Sequence, residues 1–201
     1  AMYSWSYSIV FHSFLFFSSY DDGIPDPREV PPVIAIESSA AMAERIYQRM
    51  ADRLAAARAR LARPLTLSEK LLLGHLDDPA TQELRPGTSY LRILADRVVL
   101  QDVLGQTAFL QFMQTGRDQV AIPTSVHCDH LIRAHTGARD DLATSLAENT
   151  EVYDFLKSAA RRYGAGFWEP GAGIIHQVVL EQYSFPGQII FGTASHTPNA
   201  G

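Results

Sequence analysis

Hydrophobic residues recur at helical spacing in the first half of the chain. They are three and four residues apart, which is the pattern of an amphipathic helix with one face on a core. The recurring residues are Ile46, Met50, Leu54, Ala57 and Leu61. Regular structure is therefore expected from about Ser38, and Pro64 is expected to end this first helix because proline cannot continue it.

A second helix is predicted directly after Pro64. Thr66-Leu67-Ser68-Glu69 fits a capping box, in which the threonine hydroxyl accepts from a free amide and the glutamate reaches back to the cap. The predicted helix runs from about Leu67 to Leu76. The sequence Asp77-Asp78-Pro79 is expected to stop it.

Beyond residue 88, apolar runs typical of strands alternate with helical patterns. We predict extended segments within Ser89–Gln101, a strand within Gln119–Val126, and a strand at Gln188–Gly192 that is buried on both faces. The predicted helices are Thr107–Thr115, Asp140–Tyr163 and a short one within Gly171–Ser184. Alternating strands and helices predict an α/β domain with three layers and a largely parallel sheet.

The first 37 residues differ in composition from the rest. Tyr3–Tyr20 is rich in aromatic residues and serine, and Asp21–Pro32 holds four prolines. We interpret residues 1–37 as a disordered tail and linker, and residues 38–201 as the domain. The segment lacks a basic n-region and has no arginine before Arg28, so it resembles neither a signal peptide nor a transit peptide. A cytoplasmic location is therefore expected in preference to the mitochondrial matrix.

Charge and cysteine content exclude several classes of function. The 201-residue chain has a formal net charge of -5, and 46% of its residues are hydrophobic. Nucleic-acid binding is not expected, because it needs clustered lysine and arginine. The apolar stretch near the N-terminus is too short to span a membrane. Cys128 is the single cysteine, so neither an internal disulfide nor a thiolate-held cluster can form from this chain alone.

Three polar groups lie where chemistry is expected. His127-Cys128-Asp129-His130 and Ser195-His196 each follow an apolar strand, and His176 opens the last short helix. Ligand sites in open α/β sheets lie beyond the carboxyl ends of the strands. Neighbouring residues of an extended segment point to opposite faces, so the first group cannot close a zinc site by itself.

An aspartate beside a histidine can serve as a proton-transfer unit, because the carboxylate fixes the tautomer and stabilises the imidazolium. A solvated surface turn explains the Asp129-His130 pattern equally well. His176 is also explained as a core histidine, and Ser195-His196 as a turn or a cap. The residues alone therefore predict a polar cleft without naming a reaction.

Several longer motifs resemble the aconitase family, and specifically its mitochondrial-type branch. They lie in order over residues 42–201: RPLTLSEKLLLGHLDDP, ADRVVLQD, VHCDHL, GFWEPGAGIIHQVVLE and FGTASHTPNAG. The resemblance implies the N-terminal part of the first aconitase domain. It also implies a hydro-lyase that interconverts citrate and isocitrate through cis-aconitate.

The family uses a 4Fe-4S cluster held by three cysteines, whose open iron acts as a Lewis acid on the substrate. A proton donor and a well-placed base complete the chemistry. Matching positions imply roles for six residues of this chain. The implied catalytic residues are Asp129, His130, His176 and His196, and the implied substrate-binding residues are Gln101 and Ser195.

Two departures from the family pattern affect the expected activity. Ala194 stands where the family has an aspartate that pairs with the histidine matching His176. The family's cluster cysteines, base serine and substrate arginines all lie downstream, and Cys128 is not one of the ligands, so no metal ligand is assigned here.

Because no helix follows the last strand, the chain is expected to be cut short and inactive alone. Its expected partners are a small tricarboxylic acid and the remainder of the enzyme, without nucleic acid or membrane. The alternatives are a non-catalytic scaffold or interaction domain of the same family, and a truncated product without function.

Overall fold

The protein is described by a computed structural model over residues 36–196. The predicted aromatic tail, nearly all of the predicted linker, and the last residues of the polar group after Ser195-His196 lie outside this range. The described residues fall into two compact units. The first comprises Ser39–Asp96 with Gly187–Ile189, and the second comprises residues 36–38, Arg97–Pro186 and residues 190–196.

The first unit is built on α1 (Ala40–Leu61) and α2 (Leu67–Gly74). The Ser39 side chain caps α1 by accepting from the Met42 amide. The helix ends at Leu61, and Ala62 follows with a positive φ of 49°. The predicted capping box of α2 is confirmed, because Thr66 and Glu69 exchange both bonds. Both helices confirm the sequence pattern, although α2 ends two residues earlier than predicted.

A leucine-rich core joins the helices of this unit to the irregular chain that follows them. Its buried members are Leu54, Ala57, Leu65, Leu73, Leu76, Leu84, Leu91 and Ile93. Within the stretch Ser89–Gln101 that was predicted to hold extended segments, this unit forms an isolated antiparallel bridge between Leu76 and Ile93.

The second unit contains a four-stranded sheet with helices on both faces. Its strands are β1 (Arg97–Gln101), β2 (Thr124–His127), β3 (Gly166–Trp168) and β4 (Ile190–Gly192). All the pairings are parallel, in the order β3-β2-β1-β4. Its helices are α3 (Asp102–Met113), α4 (Ala138–Glu148), α5 (Thr150–Tyr163) and α6 (Ile175–Gln182).

Alternation along the strands decides which helix covers which face. Val99 points to the face where Ile175 and Val179 of α6 pack. On the opposite face, Gly105 of α3 approaches Leu100 closely, and a Cβ there would lie 3.3 Å from the Leu100 Cβ. The predicted three-layer α/β class with a parallel sheet is therefore confirmed.

Several predicted boundaries were wrong. Helix α3 begins at Asp102, not Thr107, because the Gln101 side chain caps it. The predicted helix Asp140–Tyr163 is two helices that meet at Asn149. Strand β3 was not predicted, and β2 begins only at Thr124.

Strand β4 is half-buried, not buried on both faces as predicted. It pairs with β1 alone among the described strands, so it lies at an edge of the sheet. None of the helices within residues 36–196 combines the length and apolar character needed to cross a membrane.

Candidate active site

The site lies at the carboxyl edge of the parallel sheet, where all four strands end together. Gln101 and His127 are the paired last residues of β1 and β2, and His127 also pairs with Trp168 at the end of β3. The segments that follow these strands and β4 therefore meet at one edge. Residues as far apart in the chain as Gln101 and His196 therefore lie at the same edge, as the rule for ligand sites in open α/β sheets predicts.

Asp129 and His130 form a close hydrogen-bonded pair after β2. The His130 Nδ1 atom lies 2.6 Å from Asp129 Oδ1, while the other carboxylate oxygen accepts from the Ile175 amide at 2.8 Å. Asp129 therefore sits at the N-terminus of α6, where an anion is favoured by the helix dipole. The carboxylate fixes the His130 tautomer with the proton on Nδ1.

Asp102, at the first position of α3, is a site residue that sequence reasoning missed. Its side chain is fully buried. The two carboxylate oxygens accept from the His130 and Leu131 amides, each at 3.1 Å. Burial raises the pKa of Asp102, and the nearby Asp129 charge adds to the effect. Asp102 thus anchors the backbone that carries His130. The signal in the sequence that could have identified it is its position directly after a buried strand.

His176 occupies the first turn of α6, next to Ile175, and its Nδ1 atom is buried without a hydrogen-bond partner among residues 36–196. Burial lowers the pKa of His176, an effect that Asp129 opposes and the two neighbouring histidines reinforce. Ala194 is buried and packs in the same apolar cluster as Ile175. The Ala194 side chain is a methyl group and cannot accept a hydrogen bond.

Ser195 and His196 lie beyond β4 and complete a group of three imidazole rings. The Ser195 hydroxyl is 3.0 Å from His196 Nδ1. The His176 ring centre lies 6.5 Å from that of His130 and 5.7 Å from that of His196. The structure thus brings together all four residues predicted to be catalytic.

Gln101 was predicted to contact substrate, and in the structure it also positions two neighbouring segments of the chain. Its side-chain oxygen accepts from the Val103 and Leu104 amides at the start of α3. Its backbone amide donates to Thr193 Oγ1 at 2.9 Å, which connects β1 to the segment that carries Ser195. The side-chain oxygen is occupied, so the amide nitrogen is the group left to contact a ligand.

His127 and Cys128 lie behind the site and are part of the core. Both side chains are buried, and His127 stacks on Trp168 and pairs with Ser125. Burial lowers the pKa of His127 to about 4, which keeps the ring neutral. Burial also raises the pKa of the Cys128 thiol, so it stays protonated. A single neutral thiol does not fit the thiolate set of an iron–sulfur cluster, so this chain's residues do not hold one.

An open cleft of about 640 Å³ adjoins Asp129. The loop between β2 and α4 and the glycine-rich turn before α6 form its walls. Asp141 holds that loop in place by accepting from the His135, Thr136 and Gly137 amides. The hydrogen-bonded pair of Asp129 and His130 therefore stands beside a solvent-accessible space.

Comparison with known proteins gives a consistent result. The model of the aconitase family (aconitate hydratase) matches residues 69–201. The mitochondrial aconitate hydratase of Gracilaria gracilis is 55% identical over 158 residues, which cover 79% of this chain and 20% of that protein. Those of Schizosaccharomyces pombe and Saccharomyces cerevisiae are each 56% identical over 155 residues, which cover 77% of this chain and 20% of theirs.

The chain spans about a fifth of the length of these relatives. Their names also correct one expectation. The cytoplasmic location favoured from the N-terminal sequence is wrong, because the relatives are named mitochondrial enzymes. The composition of the first residues was not a valid guide to location.

Proposed function

The chain belongs to the aconitase family, and on that premise we propose that it supplies one wall of the active site of an aconitate hydratase. The proposed reaction is the interconversion of citrate and isocitrate through cis-aconitate, in mitochondria. The observation that carries the proposal is the convergence of Asp129, His130, His176 and His196 at one sheet edge, although they come from three separate segments.

The Asp129–His130 pair is suited to move a proton at a leaving hydroxyl. Loss of hydroxide requires a proton donor, and an imidazole with its Nδ1 hydrogen-bonded to a carboxylate can present a protonated Nε2. Asp102 holds the His130 backbone in place, which limits movement of the donor. Positioning of this kind contributes to catalysis because it lowers the entropy cost of reaching the reactive geometry.

Substrate recognition is assigned to Gln101 and Ser195. The Gln101 amide nitrogen and the Ser195 hydroxyl are donors of the kind a tricarboxylate requires. The bond from the Gln101 backbone to Thr193 ties the segments carrying both residues together. The family's cluster supplies Lewis acidity when bound, and its thiolates must come from residues other than those of this chain.

The experiment that tests the proposal is a graft. Residues 69–201 replace the matching residues of the Schizosaccharomyces pombe enzyme, and conversion of isocitrate is followed through the ultraviolet absorbance of cis-aconitate. We expect measurable turnover that His130→Gln removes, while Arg133→Gln on the exposed loop nearby leaves it unchanged. Turnover that survives His130→Gln would contradict the proposed role.

A second candidate function is a non-catalytic family member that serves as a scaffold. The unpaired His176 Nδ1 atom and the buried Ala194 favour it, because the family pairs that histidine with an aspartate. The graft distinguishes the two candidates when it is made with Ala194 and with Ala194→Asp. Turnover in the aspartate graft alone supports a scaffold, and comparable turnover in both supports the enzyme.

A further inference from the structure

The turn that carries His130 is held at three consecutive peptide groups. The His130 and Leu131 amides donate to the two oxygens of Asp102, each at 3.1 Å. The next carbonyl along the chain, that of Leu131, accepts from the Ser145 hydroxyl at 3.0 Å. Because each peptide group is planar, holding three in a row restricts the backbone dihedrals of His130 and Leu131. The bond from Ser145 is the part of this support that comes from α4.

Ser145 is connected in turn to Tyr153 of α5. Both residues are buried, and their side-chain oxygens lie 2.6 Å apart. A hydroxyl group has one proton to donate, and Ser145 donates its own to the Leu131 carbonyl, so Tyr153 is the donor in this contact. Burial raises the pKa of Tyr153, so the phenol keeps the proton that it donates. The hydrogen bonds therefore run from Tyr153 through Ser145 to the Leu131 carbonyl.

Asn149, where α4 and α5 meet, supports the Ser145 hydroxyl from another side. Its Nδ2 atom donates to the Ser145 carbonyl at 3.1 Å and to the Ser145 hydroxyl at 3.4 Å. A hydroxyl oxygen has one proton and two lone pairs, so these contacts complete its set of partners. The Ser145 hydroxyl cannot turn away from Leu131 without losing several bonds at once, which fixes its direction.

Packing alone does not hold this turn. A cavity of about 200 Å³ adjoins both Leu131 and Ser145. Side chains that line a cavity lack van der Waals partners on that side, so they resist displacement less. The cavity can also admit water, which would satisfy the Leu131 carbonyl in place of Ser145 without holding it in one direction. Removal of the Ser145 hydroxyl is therefore expected to loosen the turn while the chain stays folded.

From these contacts we propose that Ser145 and Tyr153 are positioning residues of the active site, which hold His130 in place through the Leu131 carbonyl. The inference rests on the proposed function, in which His130 moves a proton at the leaving hydroxyl. Such a step is sensitive to position, because a displacement of about an ångström can lower the rate by about 100-fold. Ser145 and Tyr153 act on the backbone of the turn and not on the substrate.

The first test is amide hydrogen exchange of the 201-residue chain, measured by nuclear magnetic resonance. Ser145→Ala should speed exchange of the His130 and Leu131 amides by about 2- to 10-fold, the range expected for one hydrogen bond. Tyr153→Phe should have a smaller effect in the same direction, because it keeps the bond from Ser145 to Leu131. The amides of β1 are the internal reference, since a general loss of stability would speed their exchange equally.

Ser158→Ala is the matched control for these variants. Ser158 also lies on a helix of this unit, but its hydroxyl donates to the Phe155 carbonyl of its own helix. Exchange at His130 and Leu131 should be unchanged in this control. Circular dichroism of each variant shows whether it is folded.

The second test uses the graft of residues 69–201 into the Schizosaccharomyces pombe enzyme. Ser145→Ala should lower kcat by about 10- to 100-fold and leave KM nearly unchanged, because His130 acts on the reacting group and not in binding. Tyr153→Phe should lower kcat less, and Ser158→Ala should change neither constant. A graft that shows no turnover in any form contradicts the proposed function, and amide exchange then decides the positioning role by itself.

Two results would overturn the inference. One is exchange at His130 and Leu131 that is unchanged in both folded variants, or that rises no more than exchange in β1. The other is an active graft in which Ser145→Ala leaves kcat unchanged.

Discussion

Asp96 is the residue of the first unit whose loss is expected to cost the most stability. Its carboxylate is fully buried. One oxygen accepts from Arg49, and the other accepts from His75 Nε2 at 2.8 Å and from the Ile189 amide at 2.9 Å. The second ring nitrogen of His75 faces the Leu71 carbonyl at 2.7 Å. Both ring nitrogens of His75 therefore face acceptor oxygens.

The expected magnitude follows from the donors that Asp96→Ala leaves unpaired. The Arg49 side chain is 37% exposed and can turn to water, so its share is small. The His75 side chain is fully buried, so Asp96→Ala leaves its Nε2 atom and the Ile189 amide without their acceptor. Each buried group left unpaired in this way costs about 1–3 kcal/mol. Asp96→Asn keeps one acceptor oxygen, so a smaller loss is expected.

Urea unfolding of the 201-residue chain, followed by circular dichroism, measures this loss. Asp52→Ala is the matched control, because Asp52 is exposed on α1 and its side chain accepts from the Gln48 side chain alone within the described part of the chain. The control should change the free energy of unfolding by less than about 0.5 kcal/mol. A loss below about 1 kcal/mol in Asp96→Ala would show that the hydrogen bonds to the buried Asp96 carboxylate contribute little to the stability of the first unit.

Three further predictions concern single titrating groups. The Arg63 hydrogen bond lowers the pKa of Glu69 from 4.5 to about 2, so the stability it contributes is present above pH 4.5 and is lost toward about pH 2. In urea titrations, Glu69→Gln should therefore be less stable than wild type at neutral pH and converge with it in acid. Burial raises the pKa of Asp102, so the folded state keeps that proton to higher pH and wild type loses stability as the pH rises from about 3.8. Asp102→Asn should lack this decline. Ala194→Asp should raise the pKa of His176, measured by nuclear magnetic resonance titration, because the family pairs this histidine with an aspartate at that position and a nearby negative charge favours the protonated ring; an unchanged titration would mean that the two side chains do not meet.

Features with local causes were predictable from the sequence. The capping box of Thr66 and Glu69 and the stripe of α1 are set by residues three and four apart, and both formed as expected. The start of α3 was missed because its cap is a glutamine side chain, an uncommon cap. Strand β3 has only three residues, too few to show a period.

The site was predictable where it follows a strand, and otherwise only from the family resemblance. Asp129 and His130 stand directly after β2, so their place at the sheet edge followed from topology. The bonds from Asp102 to the His130 backbone and from Asp129 to α6 join residues 28 and 46 positions apart. No periodicity links such distant positions, so these contacts required the structure.

The pairing of β1 with β4 has a consequence for how the protein folds. Asp96 and Ile189, the residues just before these strands, lie 93 positions apart in the chain and bond to each other. Closing so long a loop costs entropy that the new contacts repay only once they form. The two other pairings, β1 with β2 and β2 with β3, join much closer segments and should form first. His196 therefore reaches His176 late, and on unfolding, the imidazole group is expected to come apart before the centre of the sheet does.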